Sequence, residues 1–155
     1  MKYSIIIPTY NNCDKFLKPC INALLTYSNV KNLEIIISAN GCTDNTFEYI
    51  GNLKDDFTYL GLAKHLKIVR HNDALGYARA VNMGIKESTC EKVVLFNNDA
   101  ILLDQPRNQW LFMLESSFIN NPKCGFSCSL KRHSEITDMD FAAFFCTMID
   151  RKVIN

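Results

Sequence analysis

Polar and aromatic residues that can bind a nucleotide follow four predicted β-strands, at the point where each strand ends. The segments are 8–11 (PTYN), 39–44 (ANGCTD), 71–76 (HNDALG) and 97–99 (NND). Because the carboxyl ends of parallel strands meet at one edge of a sheet, we expect these segments to share a cleft. Tyr10 can stack on a base, Asn40 can donate and accept at a base edge, and Asp99 can ligate a hard cation. The sequence therefore predicts a site for a nucleoside diphosphate with its metal ion.

The glycine-rich phosphate-binding motifs are absent from the sequence. The first strand is not followed by G-x-G-x-x-G, and G-x-x-x-x-G-K-[ST] occurs nowhere, which argues against a dehydrogenase, a sugar-nucleotide oxidoreductase and a P-loop ATPase. Phosphate binding must then depend on the metal and on isolated backbone or cationic groups. Arg70, His71 and Arg79 are candidate cations, although a cation near a strand end is more often a surface ion-pair partner. This combination points to a nucleotide-sugar site.

Alternating strands and helices are predicted to position these segments. The strands are short apolar runs, and the segments between them repeat apolar residues on one helical face. The predicted strands are Tyr3–Ile7, Leu33–Ser38, Leu66–Val69, Val93–Phe96, Cys124–Cys128 and Phe141–Ile149. The predicted helices are 16–25, capped by Asp14, 47–53, capped by Thr43 or Asp44, 77–85 and 110–118. The pattern predicts an α/β fold with a doubly wound, mostly parallel sheet and helices on both faces.

The composition is that of one globular domain. Of the 155 residues, 48% are hydrophobic and 21% are charged. A net charge of +1 indicates no excess of basic residues that would bind nucleic acid. No apolar run approaches the roughly 18 residues of a membrane-spanning helix, and the first apolar stretch is too short for a signal peptide. We therefore expect a single domain over 1–155, without a nucleic-acid partner or a transmembrane segment, and a cytoplasmic location.

The seven cysteines are odd in number, spread along the chain and free of any C-x-x-C pair, which argues against a disulfide framework and a zinc site. Most are expected to behave as small buried residues. Cys124 and Cys128 are expected to point the same way from one strand into the core.

Four blocks of sequence, in the same order along the chain, resemble the family 2 glycosyltransferases. The blocks are 4–11 (SIIIPTYN), 34–46 (EIIISANGCTDNT), 76–85 (GYARAVNMGI) and 94–99 (VLFNND). The resemblance covers 2–104 well and the remainder loosely. It implies the GT-A fold, a UDP-, dTDP- or GDP-sugar donor, Mn²⁺ or Mg²⁺ as cofactor, inversion at the anomeric carbon, and a glycan or lipid-linked acceptor.

The same resemblance assigns roles to individual residues. Those expected to contact the nucleotide sugar are Pro8, Thr9, Tyr10, Asn40, Gly76, Asn82 and Asn98. Asp99 matches the last aspartate of the family's D-x-D-type motif, which implies that it ligates the metal. A metal there would stabilise the negative charge that builds on the leaving nucleoside diphosphate. The base stays open, because an amide such as Asn40 can pair with uracil, thymine or guanine.

The sequence departs from the family pattern at three points. Ala39 stands where an acidic residue is common, Cys42 stands where serine is common, and the metal motif has one carboxylate in place of two. The segment that carries the family's general base normally follows a final sheet strand. Because the chain stops at Asn155 before such a segment, we expect a GT-A domain truncated at its C-terminus, with 1–104 as the nucleotide-sugar-binding part and 105–155 as an incomplete acceptor-side part.

The general base is not identified by the sequence. Glu135, Asp138 and Asp140 precede the last predicted strand, and a carboxylate can take the proton of an acceptor hydroxyl. A polar loop of this composition is nevertheless more typical of solvated surface. A non-catalytic nucleotide-sugar binding module, or a fragment that lacks the general-base segment, therefore stays open as the alternative to a transferase.

Overall fold

Strands and helices alternate along the first two-thirds of the chain in the computed structural model, which describes residues 2–129, 131–134, 139–142 and 144–154. The strands are β1 (Tyr3–Thr9), β2 (Leu33–Asn40), β3 (Leu66–His71), β4 (Lys92–Phe96), β5 (Phe126–Cys128), β6 (Lys131–Ser134), β7 (Met139–Ala142) and β8 (Cys146–Asp150). The α-helices are α1 (Lys18–Tyr27), α2 (Thr46–Tyr59), α3 (Tyr77–Glu87) and α4 (Gln109–Asn120). A π-helical turn, Cys13–Leu17, leads into α1.

Six strands form one sheet in the order β3-β2-β1-β4-β8-β5. The strands β1 to β4 are parallel, and β8 runs antiparallel to both of its neighbours. Every residue of β1 and β2 is buried, as expected for strands covered on both faces. The predicted mostly parallel sheet is confirmed. Because β1 lies between β2 and β4, the strand order reverses there, and such a switch point opens a crevice at the carboxyl ends of the strands.

Helices cover both faces of the sheet, as predicted. On one face, Leu24 of α1, Phe57 of α2 and Leu114 of α4 are buried in the larger hydrophobic cluster. On the other face, Val81 of α3 packs in a smaller cluster with Ile6 of β1. Within the described ranges, no helix is both long and apolar enough to cross a bilayer.

The segment predicted as one strand over Phe141–Ile149 is instead divided between two sheets. β7 ends at Ala142 and pairs with β6, whereas β8 begins at Cys146 and pairs with β4. The sequence between them contains no Gly or Pro that would mark a break. Long-range pairing sets the position of β8, because the fully buried Met148 lies opposite Val94.

The prediction that Asp14 caps the first helix is wrong. The preceding Asn12 adopts a left-handed conformation, so the helical segment already begins at Cys13. Asp14 therefore lies inside the first turn, where it forms an ion pair with Lys18 one turn later.

Five of the seven cysteines are buried, in agreement with the expectation for most of them: Cys13, Cys20, Cys42, Cys90 and Cys146. Cys124 and Cys128 are only partly buried, so the prediction that both point into the core is wrong. The reason is that β5 begins at Phe126, and the two cysteines do not share a strand.

A buried carboxylate ties together β1, β2 and the edge of the sheet. The side chain of Glu34 is fully buried and lies 2.7 Å from the Lys67 ammonium. It also accepts hydrogen bonds from the Ser4 hydroxyl and from the backbone and hydroxyl of Thr89. Burial alone raises the pKa of Glu34, but these hydrogen bonds outweigh it and hold the pKa below its ordinary value of 4.5. The carboxylate is therefore ionised and contributes to stability.

The Glu34→Gln substitution is expected to lower the free energy of unfolding by about 2 to 4 kcal/mol. It removes the buried negative charge that is paired with Lys67 and leaves that ammonium without its partner. A group whose pKa is depressed on folding stabilises above its unfolded pKa and loses that contribution as the pH falls. Chemical denaturation of the wild-type chain should therefore show stability declining below about pH 4.5, with a smaller decline in Glu34→Gln. Asp55→Asn, on the exposed side of α2, is the control. Equal pH dependence in the wild type and Glu34→Gln would contradict this role.

Candidate functional site

A cavity of about 510 Å³ opens at the carboxyl ends of β1, β2 and β4, next to the start of α3. It lies at the switch point of the sheet, where open α/β sheets place their ligands. Its volume falls in the range of small-molecule sites. Seven of the eight residues predicted to contact the donor or its metal line it: Pro8, Thr9, Tyr10, Asn40, Gly76, Asn98 and Asp99.

The eighth predicted residue, Asn82, is not part of this lining. It lies on an exposed position of α3. The residues of α3 that do line the cavity are Tyr77 and Ala80, which are three apart and share a helical face. Sequence reasoning missed both, although the start of the helix after Gly76 offered the signal. Asn12 and Phe16, also in the lining, were missed because their position depends on the left-handed turn before α1.

Two side-chain hydrogen bonds connect the segment 97–99 to neighbouring elements of the cavity wall. The Asn98 amide donates to the Thr9 hydroxyl at 2.9 Å, which joins the end of β4 to the end of β1. The Tyr77 hydroxyl donates to the Asn97 side-chain oxygen at 2.9 Å, which joins the same segment to α3. These bonds hold the two residues that precede Asp99 without using its carboxylate.

The carboxylate of Asp99 is exposed and uncompensated. Among the described residues it has no hydrogen-bond or ion-pair partner, and the described lining contains no Lys, Arg or His and no second carboxylate. Its charge affects two neighbouring groups. Burial is the main cause that raises the pKa of the Cys20 thiol to about 12, and the charge of Asp99 adds to it. The same two causes, in the same order, raise the pKa of the Tyr77 hydroxyl. The cavity therefore presents one net negative charge to a ligand.

These residues fit a hard divalent cation that is shared with a ligand. No cluster of three or more His, Cys, Asp or Glu side chains suited to a metal exists in the described part of the chain, so these residues alone do not form a closed metal cage. Mg²⁺ in particular is commonly bound through one or two carboxylates plus the phosphates of a substrate. Asp99 supplies such a carboxylate, and the lining offers no cation that would otherwise neutralise a diphosphate.

Asn40 and Gly41 connect the end of β2 to the loop before α3. The Asn40 side-chain oxygen accepts a hydrogen bond from the Leu75 backbone at 2.7 Å, and its amide nitrogen remains as a donor for a ligand. Gly41 adopts a positive φ of 69° and donates its N–H to the His71 carbonyl at 3.0 Å. The wall of the cavity on this side is thus built from two loops in direct backbone contact.

Asn40→Ala is expected to lose the bond to Leu75 and to lower the free energy of unfolding by about 1 to 2 kcal/mol, because the partly buried Leu75 N–H loses its partner. The loop at the cavity wall should loosen, and ligand affinity should fall with it. Asn40→Asp keeps an acceptor oxygen and should restore most of the stability. Thermal unfolding of the three proteins measures this order, and an Asn40→Asp variant no more stable than Asn40→Ala would contradict it.

A second set of hydrogen bonds shapes the turn that carries Tyr10. Asn11 has a positive φ of 50°, and its side-chain oxygen accepts from the backbone of Thr43 at 2.7 Å. Asp44 accepts from the backbone N–H groups of Cys13 and of Thr46, the first residue of α2. Burial opposes ionisation of Asp44, but a hydrogen bond from the Thr46 hydroxyl and, after it, these backbone bonds prevail and lower its pKa. Tyr10 itself is 52% exposed at the cavity edge, so its ring is available for stacking.

Of the candidate general bases, Asp140 lies within the described residues. Glu135 and Asp138 lie outside the described residues. Asp140 lies in β7, where its backbone partner in β6 is His133. Its role as a base stays a prediction.

Most of the chain matches the model of a known protein family. Residues 4–135 match the model of "Glycosyl transferase family 2". Among curated relatives, the glycosyltransferase GlyG of Streptococcus pneumoniae is 29% identical over 99 residues, which is 64% of this chain and 30% of that protein. The uncharacterized glycosyltransferase RC0461 of Rickettsia conorii is 32% identical over 119 residues, which is 76% of this chain and 18% of that protein. The chain thus spans less than a third of the length of these relatives.

Two solved structures share the fold at low identity. The mannosyltransferase PcManGT from Pyrobaculum calidifontis, in complex with GDP-Man and Mn²⁺, superposes with a TM-score of 0.77 at 17% identity, covering 99% of this chain and 45% of that one. TarS 1–349 from S. aureus, in complex with UDP-GlcNAc, gives a TM-score of 0.60 at 19% identity over 81% of this chain and 33% of that one.

Proposed function

Because the chain belongs to glycosyl transferase family 2 and has the GT-A fold, we propose that it forms the donor-binding part of a metal-dependent, inverting glycosyltransferase. Its donor would be a UDP-, dTDP- or GDP-sugar, its metal Mn²⁺ or Mg²⁺, and its acceptor a glycan or a lipid-linked molecule. The observation that carries the proposal is the uncompensated Asp99 in a switch-point cavity whose described lining contains no cationic side chain.

The residues around the cavity divide the binding of a nucleotide sugar between them. The exposed ring of Tyr10 stacks on the base, and the Asn40 amide nitrogen donates to a base acceptor. Gly76, with φ 82° and ψ 163°, brings the chain into α3, so the first N–H groups of that helix face the diphosphate. The hydrogen bond from Asn98 to Thr9 holds the segment that carries Asp99 in place.

Asp99 would hold the divalent cation together with diphosphate oxygens. When bound there, the cation offsets the charge of the diphosphate and of the departing nucleoside diphosphate. In an inverting transfer, an acceptor oxygen bonds to the anomeric carbon while the bond from that carbon to the phosphate oxygen breaks, and the acceptor proton passes to a base. Asp138 and Asp140 remain the candidates for that base.

A nucleotide-sugar binding module without transfer activity is the second candidate function. It is favoured by the described lining, which contains no second carboxylate that could accept the acceptor proton. Formation of a glycosylated product that depends on the donor would exclude this candidate. Donor binding without product, across a panel of glycan and lipid-linked acceptors, would favour it.

Thermal unfolding of the purified chain with UDP, dTDP or GDP, each with Mn²⁺ or with EDTA, tests the proposed function. A nucleotide at about 100 times its Kd adds about 2.7 kcal/mol of stability, which raises Tm by about 5 to 10 °C for a chain of this size. We expect such a shift for one of the three with Mn²⁺ and its loss with EDTA. The absence of a shift with all three nucleotides would overturn the proposal.

A further inference from the structure

A small cavity of about 260 Å³ lies at the amino ends of β2 and β3, at the edge of the sheet opposite to the nucleotide cavity. Two 3₁₀ turns contribute to it, Val30–Asn32 before β2 and Ala63–His65 before β3, together with the chain that leaves α2. The two turns lie side by side because β2 and β3 are parallel neighbours. β2 is eight residues long, so about 25 Å separates its two ends and the cavities there.

A buried imidazole forms part of the cavity lining. His65 is 3% exposed, and its Nδ1 lies 2.8 Å from the Leu33 carbonyl oxygen. A carbonyl oxygen can only accept, so Nδ1 carries a proton and donates it to this bond. The other ring nitrogen, Nε2, has no hydrogen-bond partner among the described residues, and yet it is not sealed from solvent. Because His65 lines the cavity, Nε2 is available to a ligand there.

The charge of this cavity is positive. Lys31 and Lys64, one from each turn, line it, and neither has an ion-pair partner among the described residues. The carboxyl end of α2 carries about half a negative charge, which alone would favour a cation nearby. Its carbonyls at 56–58 are already satisfied, because the backbone N–H groups of 60–62 donate to them. Two ammonium groups therefore leave a net positive charge beside the free nitrogen of His65.

We propose that this cavity binds a phosphate group, held by the ammonium groups of Lys31 and Lys64 and by Nε2 of His65. The lone pair of a neutral Nε2 accepts from a phosphate hydroxyl, while the charged oxygens accept from the two lysines. The volume lies below the roughly 300 Å³ at which pockets for larger ligands begin, so the cavity suits a phosphate group and not a whole nucleotide. The site goes beyond the proposed function and does not depend on it.

Isothermal titration of the purified chain with inorganic phosphate, and separately with sulfate, tests the proposal. Both are made at about pH 8, at constant ionic strength and in EDTA, so that no metal ion bridges the anion to Asp99. At this pH both tetrahedral anions carry close to two negative charges, but only phosphate keeps a hydroxyl that can donate to Nε2. We expect saturable phosphate binding, at least about tenfold tighter than that of sulfate. Equal affinities, or no saturable phosphate binding, would overturn the proposal.

Three variants locate the binding. Lys64→Ala removes an exposed ammonium and should weaken phosphate affinity by about tenfold without lowering Tm. His65→Asn keeps an amide donor for the Leu33 carbonyl but removes Nε2, so phosphate affinity should fall to that of sulfate. Lys54→Ala, the matched control, removes the same charge from an exposed position of α2 outside the lining and should bind as the wild type does. Equal weakening by Lys54→Ala and Lys64→Ala would reflect net charge alone and overturn the site.

The same phosphate group can be free in solution or carried by a lipid headgroup. Tyr59 and Leu60, which directly precede Gly61 of the lining, are 91% and 64% exposed and would meet a lipid surface. Sedimentation with phosphatidylcholine vesicles, with and without phosphatidic acid, separates the two sources. Binding that requires phosphatidic acid and is lost in Leu60→Asp would support the site with a headgroup as its ligand. Phosphate binding without vesicle binding would support it with the free anion, and absence of both would overturn it.

The outcome is distinguishable from that of the proposed function because the two cavities lie at opposite edges of the sheet. Phosphate binding in EDTA by a chain that binds none of the nucleoside diphosphates with Mn²⁺ would overturn only the proposed function. Metal-dependent nucleotide binding by a chain that binds no phosphate in EDTA would overturn only the present inference. Lys64→Ala should leave the Tm shift by nucleotide and Mn²⁺ unchanged, since Lys64 does not line the nucleotide cavity.

Discussion

Asp99→Asn is expected to abolish the rise in Tm that Mn²⁺ and the preferred nucleoside diphosphate produce together, and to leave the Tm of the chain without ligand nearly unchanged. The Asp99 carboxylate has no partner among the described residues, so its replacement breaks no contact of the folded chain. Loss of a residue that merely supports a metal ligand costs 10- to 100-fold in metal affinity, and loss of the ligand itself should cost at least as much. Isothermal titration of the nucleotide at fixed Mn²⁺ measures the change.

Asp104→Asn provides the matched control for Asp99→Asn. It removes the same charge from an exposed position a few residues along the chain, outside the lining of the nucleotide cavity. Nucleotide affinity of this variant should equal that of the wild type. If both variants lose affinity equally, the effect is one of net charge and Asp99 is not the metal ligand.

The place of the cavity in the fold could be predicted from sequence, because it follows from the topology of the sheet. Tyr10, Asn40 and Asp99 lie at or just after the carboxyl ends of parallel strands, and such ends meet at one edge of the sheet. Asn82 was assigned by resemblance alone, and the structure places it on an exposed position of α3, outside the cavity lining. The side of α3 that faces the cavity is decided by its contacts with the sheet, which no local pattern records.

The half of the sheet beyond β4 was harder to predict. β8 pairs antiparallel with β4 across more than 50 residues of sequence, and its partner β5 is only three residues long. Strand direction and pairing there depend on long-range contacts, whereas a short apolar run indicates only burial.

Gly41→Ala is expected to be the most damaging single change at the site. A methyl group at this position would lie 2.4 Å from the Ala74 backbone nitrogen and 2.5 Å from the Asp73 carbonyl carbon, and φ is 69°. Left-handed backbone costs a non-glycine residue about 1 to 2 kcal/mol, and overpacking against backbone that cannot turn away adds about 1 to 3 kcal/mol. The free energy of unfolding should therefore fall by about 2 to 5 kcal/mol.

Gly61→Ala separates the two causes, because Gly61 has almost the same φ of 68° but nothing within 4 Å of the added methyl group. It should lose only the conformational part, about 1 to 2 kcal/mol, and keep full nucleotide affinity. Gly41→Ala should also lose nucleotide affinity, because the clash pushes the loop before α3 away from Asn40, whose side chain holds that loop through Leu75. Denaturant unfolding and nucleotide titration of both variants measure these effects. Equal losses in the two variants would mean that the contact between the loops does not shape the cavity.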